Sequence, residues 1–113
     1  MMLTSYTFGY RRVEQDIQTL ARQEPYKMAR LVSSLEDFVR DGPAELVVKH
    51  AVRGREVYLV PPRLALLTVP DAAAVVLVDH DTQTLDIVQI IDTYNGASAR
   101  QWQGVIAAAQ AVI

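Results

Sequence analysis

The chain contains no cysteine among its 113 residues. Disulfide bonds and zinc sites built from thiolates are therefore excluded, and a reducing, cytoplasmic setting is the natural expectation. No apolar run reaches the roughly 18 residues that a membrane-spanning helix needs. The chain also does not open on a basic stretch followed by a long apolar segment, as a secretory signal does. We therefore expect no membrane partner.

The chain also lacks an excess of positive charge. Its net charge is -2 and its pI is about 5.6, which is unusual for a general nucleic-acid binder. Residues 64–113 carry one basic side chain, Arg100, against five aspartates. The one local positive excess lies in residues 44–63, where two glutamates face four basic side chains: Lys49, Arg53, Arg55 and Arg63.

Apolar, β-branched runs dominate the middle of the chain and predict a sheet. The predicted strands are 55–60, 63–69, 72–79 and 84–92. Prolines at 61, 62 and 70 interrupt the runs because proline lacks the donor N–H that a central strand needs. The polar segment His80–Gln83 is typical of a hairpin turn. Such short connections predict mainly antiparallel neighbours.

Helical periodicity precedes the sheet. The first predicted helix, 11–23, carries an apolar stripe at Val13, Ile17, Leu20 and Ala21. The second helix begins near Pro25 and ends near Gly42, and its apolar seam is Met28, Leu31, Leu35 and Phe38. Two helices joined so tightly form an αα-hairpin, whose shared apolar face needs a sheet to cover.

The remaining segments complete the predicted architecture. Residues 2–8 alternate like an edge strand that Gly9 ends, and residues 44–54 predict a short extended piece. Ser98 can cap a C-terminal helix over 99–113. We therefore predict a single α+β domain over 1–113. It consists of an αα-hairpin on a mainly antiparallel sheet of four or five strands, plus that helix, which offers an apolar interface.

This β-α-α-β-β-β order resembles the RelE/ParE toxin superfamily, and most closely its YafQ-like branch. That branch has a His-x-Leu-x-Gly turn, an Arg-Glu-x-His-Ile-x-Pro-Asp-Trp-Leu-Leu-Ile-Tyr segment and a later Gly-Thr-His motif. Here the turn is matched by His50-Ala-Val-Arg-Gly54, and the second segment by Arg55-Glu-Val-Tyr-Leu-Val-Pro-Pro-Arg-Leu-Ala-Leu-Leu-Thr68. Val78-Asp-His80 stands for the last motif.

The resemblance implies a toxin of a type II toxin–antitoxin system. Such a toxin is neutralised by an antitoxin protein and acts on ribosome-bound mRNA as an endoribonuclease, or on gyrase. His50 matches the first family histidine, and His80 matches the last after a shift in register. Tyr58 stands where the family has its second histidine, Pro62 where it has aspartate and Arg63 where it has tryptophan. The implied catalytic side chains are thus His50, His80 and Tyr58.

Chemistry alone leaves the function open. Histidine is the natural acid–base group for RNA cleavage, and His50 and His80 are the two in the chain. Pairing of strands 55–60 and 63–69 would bring Arg53, Arg55 and Arg63 together beside Lys49 as a phosphate clamp; the alternative is that they are edge charges.

Neither a calcium-loop spacing nor a phosphate-cradling glycine loop is present, so no metal and no cofactor is expected. Asp79, Asp81 and Asp86 are interpreted as turn residues. Two hypotheses stay open. One is the toxin, with an antitoxin, the ribosome or mRNA as partners. The other is a non-catalytic binding module, or a homodimeric one in which a second copy of the chain is the partner.

Overall fold

The computed structural model describes residues 3–42, 50–52, 55–60 and 71–94. This part of the chain is α+β, as predicted. After a short strand and a 3-10 turn at Arg11–Val13, two helices lead into the rest of the sheet. The elements are β1 (Thr7–Gly9), α1 (Glu14–Gln23), α2 (Pro25–Asp41), β2 (His50–Val52), β3 (Arg55–Val60), β4 (Asp71–Asp79) and β5 (Thr84–Tyr94).

The five strands form one sheet in the order β1-β5-β4-β3-β2. The neighbours β2/β3, β3/β4 and β4/β5 are antiparallel, whereas β1 runs parallel to β5. A parallel neighbour cannot be reached through a hairpin, and here the two helices intervene between β1 and the rest of the sheet. The prediction of a mainly antiparallel sheet is confirmed for the described strands.

The central strand β4 is buried on both faces, which explains its unbroken apolar sequence. Alternate residues belong to two separate clusters, because successive side chains of a strand point to opposite faces. Ala72, Ala74, Val76 and Val78 face the helices. Ala73, Val75 and Leu77 face the other side, where Val57 and Leu59 of β3 join them. We call these the helix face and the second face of the sheet.

The two helices cover the helix face. Helix α2 contacts β3 and β4, and α1 contacts β5. The predicted seam of α2 is confirmed, because Leu31, Leu35 and Phe38 are buried and Met28 is half-buried. Pro25 occupies the first turn of α2, and Gly42 closes it with φ 76°, a conformation that favours glycine.

A bulge in β5 keeps its apolar residues on the correct faces. Ile87 is in register with Val76, but Gln89 is in register with Val75, so one extra residue, Val88, is accommodated in β5. Strict alternation from Ile87 would place Gln89 on the helix face. The bulge instead pairs Ile90 with Ala74, and Ile90 packs on the helix-face core.

The N-terminal prediction was wrong in part. Thr4–Tyr6 form a turn, in which the Tyr6 N–H donates to the Leu3 carbonyl, and β1 begins only at Thr7. The Leu3 N–H donates to the Val39 carbonyl, so this segment is tied to α2 instead of to a strand. Gly9 was predicted to follow the strand, but it is the last residue of β1. A Cβ at Gly9 would lie 3.1 Å from the Asp86 carboxylate, so the close approach favours glycine.

Strand β3 pairs with β4 along Glu56–Val60 and with β2 along Arg55–Val57. The pairing of strands 55–60 and 63–69 that would group the arginines stays a prediction. The segment 63–69 and the C-terminal helix over 99–113 lie outside the described residues. Of the extended piece expected in residues 44–54, the structure describes the strand β2. No helix in the described ranges is both long and apolar enough to cross a membrane.

Candidate functional site

Four polar side chains meet at the end of the sheet where β4 turns into β5. Glu56 and Tyr58 lie on the helix face of β3, because their register partners, Val78 and Val76, lie on that face. His80 follows β4 two residues after Val78, so the same alternation brings it beside Glu56. Tyr6 precedes β1, whose pairing with the start of β5 carries it to this end.

His80 is held by a hydrogen bond at each ring nitrogen. Its Nε2 lies 3.0 Å from Oε1 of Glu56, and its Nδ1 lies 2.7 Å from the Tyr6 hydroxyl. The Tyr6 and His80 rings meet edge to face, with centroids 5.8 Å apart. A second hydroxyl, that of Tyr58, donates to the other oxygen of Glu56. We call these four residues the His80 network.

The chemistry of the partners fixes the protons of a neutral His80 ring. An ionised carboxylate only accepts hydrogen bonds, so the Nε2 atom facing Glu56 carries the hydrogen. Nδ1 is then the acceptor, and the Tyr6 hydroxyl donates to it. This arrangement of carboxylate, imidazole and hydroxyl has the order of a proton-transfer relay.

Burial divides the network into a supporting and an accessible part. Tyr58 is 8% exposed, and its ring packs on Phe38 at a centroid distance of 5.4 Å. Burial, and then the Glu56 carboxylate, raise the pKa of the Tyr58 hydroxyl above its ordinary value. The Tyr58 hydroxyl therefore stays protonated near neutral pH and can donate its hydrogen bond to Glu56. The His80 side chain is 30% exposed and accessible to a substrate.

Arg55, one of the four basic residues that the sequence offers as a phosphate clamp, is paired with an acidic side chain. The Arg55 Nε atom lies 3.0 Å from Oδ2 of Asp79, and this pair lies at the sheet end on the second face. Beside it, Arg12 pairs with Asp86 at 3.6 Å, so each of the two guanidinium groups has an acidic partner. A cavity of about 240 Å³ between them is consequently lined by balanced charge. Lys49, Arg53 and Arg63 lie outside the described residues.

Asp79 has the turn role that the sequence predicts. Its Oδ1 atom accepts the backbone N–H groups of Asp81 at 3.0 Å and Thr82 at 3.3 Å. The bond from Thr82, then that from Asp81 and the charge of Arg55, lower the pKa of the Asp79 carboxyl. In the described ranges no three His, Asp or Glu side chains are grouped closely enough to hold a metal ion.

His50 belongs to β2, where its backbone is in register with Val57 of β3. Glu56 and Tyr58 are the two residues on either side of Val57 in β3. The catalytic candidates His80 and Tyr58 are brought together through Glu56.

An apolar groove of about 670 Å³ lies beside the network, between the N-terminal segment and α2. Tyr6 belongs to both features, since its ring lines the groove while its hydroxyl binds His80. Phe8, Tyr10, Met28 and Val32 are among the other lining residues. The volume is in the range of pockets that bind small molecules or peptide side chains.

Comparisons with known proteins give no relative. No protein-family model, no curated protein and no solved structure matches this chain.

Two members of the network, Tyr6 and Glu56, were not singled out from the sequence. The sequence does place Glu56 on the same face of the predicted strand 55–60 as Tyr58, because the two residues are two positions apart. Its proximity to His80 depends on the register of β3 against β4. Tyr6 is 74 residues from His80 in the chain, and no local pattern indicates their contact.

Proposed function

We propose that this chain is a toxin of the RelE/ParE kind that cleaves RNA, with the His80 network as its proton-transfer centre. The observation that carries the proposal is His80 held between the Glu56 carboxylate and the Tyr6 hydroxyl at an accessible end of the sheet. The order of helices and strands is compatible with the fold that the resemblance implies.

In this proposal the 2′-hydroxyl of RNA attacks the adjacent phosphorus atom and the bond to the 5′ oxygen breaks. The 2′-hydroxyl proton passes to the Tyr6 oxygen as Tyr6 gives its own proton to Nδ1 of His80. Glu56 stabilises the resulting imidazolium, and the leaving 5′ oxygen takes a proton from water. The hydroxide so formed takes the extra proton from the His80 imidazolium, which restores water and the neutral ring. The products are a 2′,3′-cyclic phosphate and a 5′-hydroxyl end. Positioned acid–base groups of this kind contribute about 10²- to 10⁴-fold to a rate.

The partners in this proposal follow from the resemblance. An antitoxin protein would neutralise the chain, and mRNA on the ribosome would be its cytoplasmic target. Gyrase inhibition is the other activity found in the superfamily. It needs no proton transfer, so the His80 network favours RNA cleavage over it.

We also propose that the predicted helix over 99–113 covers the second face of the sheet. Val57, Ala73 and Val75 are each 0% exposed there, while α1 and α2 pack on the opposite face. Slow amide hydrogen exchange across 99–113 is the expected result. Exchange at the rate of an unstructured peptide throughout this segment would contradict the proposal.

Induced expression in a bacterium, with the chain's mRNA targets read by primer extension, tests the RNA-cleaving function. We expect growth arrest and new 5′ ends for the wild type, and a loss of about 10²-fold or more in cleavage rate for His80→Ala and Tyr6→Phe. Tyr26→Phe is the matched control, because this hydroxyl belongs to a residue that is 81% exposed and outside the network. Cleavage that survives in both network variants would contradict the mechanism.

The apolar groove supports a second candidate, a non-catalytic binding module. Its specific observation is the exposure of Phe8 and Val32, at 41% and 39%, along a groove that the hairpin does not fill. A wild-type chain that neither arrests growth nor cuts RNA would favour this second candidate.

A further inference from the structure

We propose that β1 is a self-association edge, through which a second copy of the chain extends the sheet about a two-fold axis at Phe8. Strand β1 has β5 on one side and ends the described sheet on the other.

The hydrogen-bonding groups of Phe8 point away from the sheet. The Thr7 N–H donates to the Gln83 carbonyl, so Thr7 directs its backbone groups toward β5. The next residue along an extended strand directs its N–H and C=O to the opposite side. Phe8 therefore offers one donor and one acceptor at the outer edge, the pair that an antiparallel partner residue requires.

This edge carries none of the usual protection against pairing. Leu3-Thr-Ser-Tyr-Thr-Phe-Gly-Tyr10 contains no charged residue and no proline. Edge strands of monomeric proteins are commonly protected by lysine, proline or an inward-pointing charge. Phe8 and Tyr10 are instead 41% and 49% exposed, with their ring centroids 6.5 Å apart.

The sequence around Phe8 is complementary to itself. In an antiparallel pair centred on Phe8, Phe8 is opposite its own copy, Tyr6 is opposite Tyr10, and Thr7 is opposite Gly9. Aromatic residues thus meet aromatic residues across the join. The nearest charged residues along the chain, Arg11 and Arg12, lie beyond this segment. Asp86 lies beside Gly9 and is paired with Arg12. A two-fold pairing of residues 6–10 therefore places no charged residue opposite another and closes as a dimer.

The exposed area indicates a weak and reversible dimer. With about 200 Å² for an aromatic side chain, the exposed fractions of Phe8 and Tyr10 amount to roughly 180 Å² per copy. Two copies contribute roughly 360 Å² from these rings, well below the ~1,200 Å² of a stable interface. Backbone pairing at Phe8 supplies the additional attraction and fixes the register.

Single-cysteine variants test the register cleanly, because the chain has no cysteine of its own. In a hydrogen-bonded antiparallel pair the Cα atoms are about 5.5 Å apart, within the range for a disulfide. We expect Phe8→Cys to oxidise to a disulfide-linked dimer at least tenfold faster than Thr7→Cys, whose opposite residue is Gly9, and than Gln18→Cys on α1. Equal rates for all three variants would overturn the proposal.

Sedimentation equilibrium of the intact wild-type chain provides the second measurement, because the cysteine variant lacks the Phe8 ring. We expect the mean mass to rise with concentration toward that of a dimer, and Phe8→Lys to weaken association at least tenfold by placing two charges opposite each other. Circular dichroism of Phe8→Lys should match the wild type, since Phe8 is not part of the buried core. A wild type that stays monomeric at all concentrations would overturn the proposal and leave the edge for a peptide of another protein.

Discussion

The shared carboxylate of Glu56 predicts an energetic coupling that can be measured. Replacing Glu56 with alanine leaves the hydroxyl of Tyr58, a residue 8% exposed, without its acceptor. An unsatisfied buried hydroxyl costs about 1–3 kcal/mol, so we expect Glu56→Ala to lower the free energy of unfolding by about 2 kcal/mol. Tyr58→Phe removes that hydroxyl but keeps the ring on Phe38, at a cost of about 1 kcal/mol.

The double variant separates the coupling from the individual costs. Once Tyr58→Phe has removed the buried hydroxyl, Glu56→Ala should cost only about 1 kcal/mol, so the coupling energy is about 1 kcal/mol. Urea unfolding measures it, since a slope of about 2 kcal/mol per molar turns a 2 kcal/mol loss into a shift of about 1 M in the midpoint. Glu56→Ala in a Tyr26→Phe background is the control and should keep its full cost. Coupling below about 0.3 kcal/mol between Glu56 and Tyr58 would refute the network.

The buried hydroxyl of Tyr58 also predicts how the free energy of unfolding changes at alkaline pH. Tyrosine in the unfolded chain ionises near pH 10, whereas burial and Glu56 raise the pKa of Tyr58 in the folded chain. Above about pH 10 the unfolded chain therefore releases a proton that the folded chain keeps, and stability falls as the pH rises. Tyr58→Phe should reduce this fall in urea midpoints measured from pH 8 to 11. An unchanged slope would contradict the burial of the hydroxyl.

Three further predictions concern the turn and the core. Asp79→Asn keeps the acceptor oxygen of the turn but removes the carboxyl group whose pKa is lowered in the folded chain. The variant should therefore lose less stability than the wild type as the pH falls below about 4, in acid titrations followed by circular dichroism. Gln83 has φ 54°, so Gln83→Gly should raise the free energy of unfolding by about 0.5–1 kcal/mol in urea, and a loss of stability would refute the strain. Leu35→Ala should cost about 2–5 kcal/mol, whereas Val32→Ala, at a residue 39% exposed, should cost less than about 1 kcal/mol.

Local patterns in the sequence predicted the individual elements well. The apolar seam of α2, which ends at Phe38, follows from helical periodicity. The start of α2 at Pro25 and its end at Gly42 follow from the preferences of proline and glycine at helix ends. The same holds for the apolar run of β4 and the hairpin turn beside Asp79. These features depend on residues within one or two turns of chain.

Contacts between distant elements were not predictable in the same way. Prolines at 61, 62 and 70 suggested short turns between consecutive strands, but β3 pairs with β4 across residues 61–70. The contact between His80 and Glu56 could not be inferred either. The alternation of polar and apolar residues in β3 predicts which face of the sheet Glu56 lies on, but not which residue of another strand lies beside it. Tyr6 reaches His80 only through the parallel pairing of β1 with β5.

That parallel strand also imposes an order on assembly. The β4–β5 hairpin closes between Asp79 and Thr84, a short loop with a small entropic cost, while β1 must pair across nearly the whole described chain. We therefore expect β1 to dock late in folding and to detach early, with three residues of pairing to lose. Tyr6 directly precedes β1, so a detachment that includes Tyr6 would separate its hydroxyl from His80. In the proposed mechanism, the time that β1 stays paired would then determine how long Tyr6 and His80 remain hydrogen-bonded.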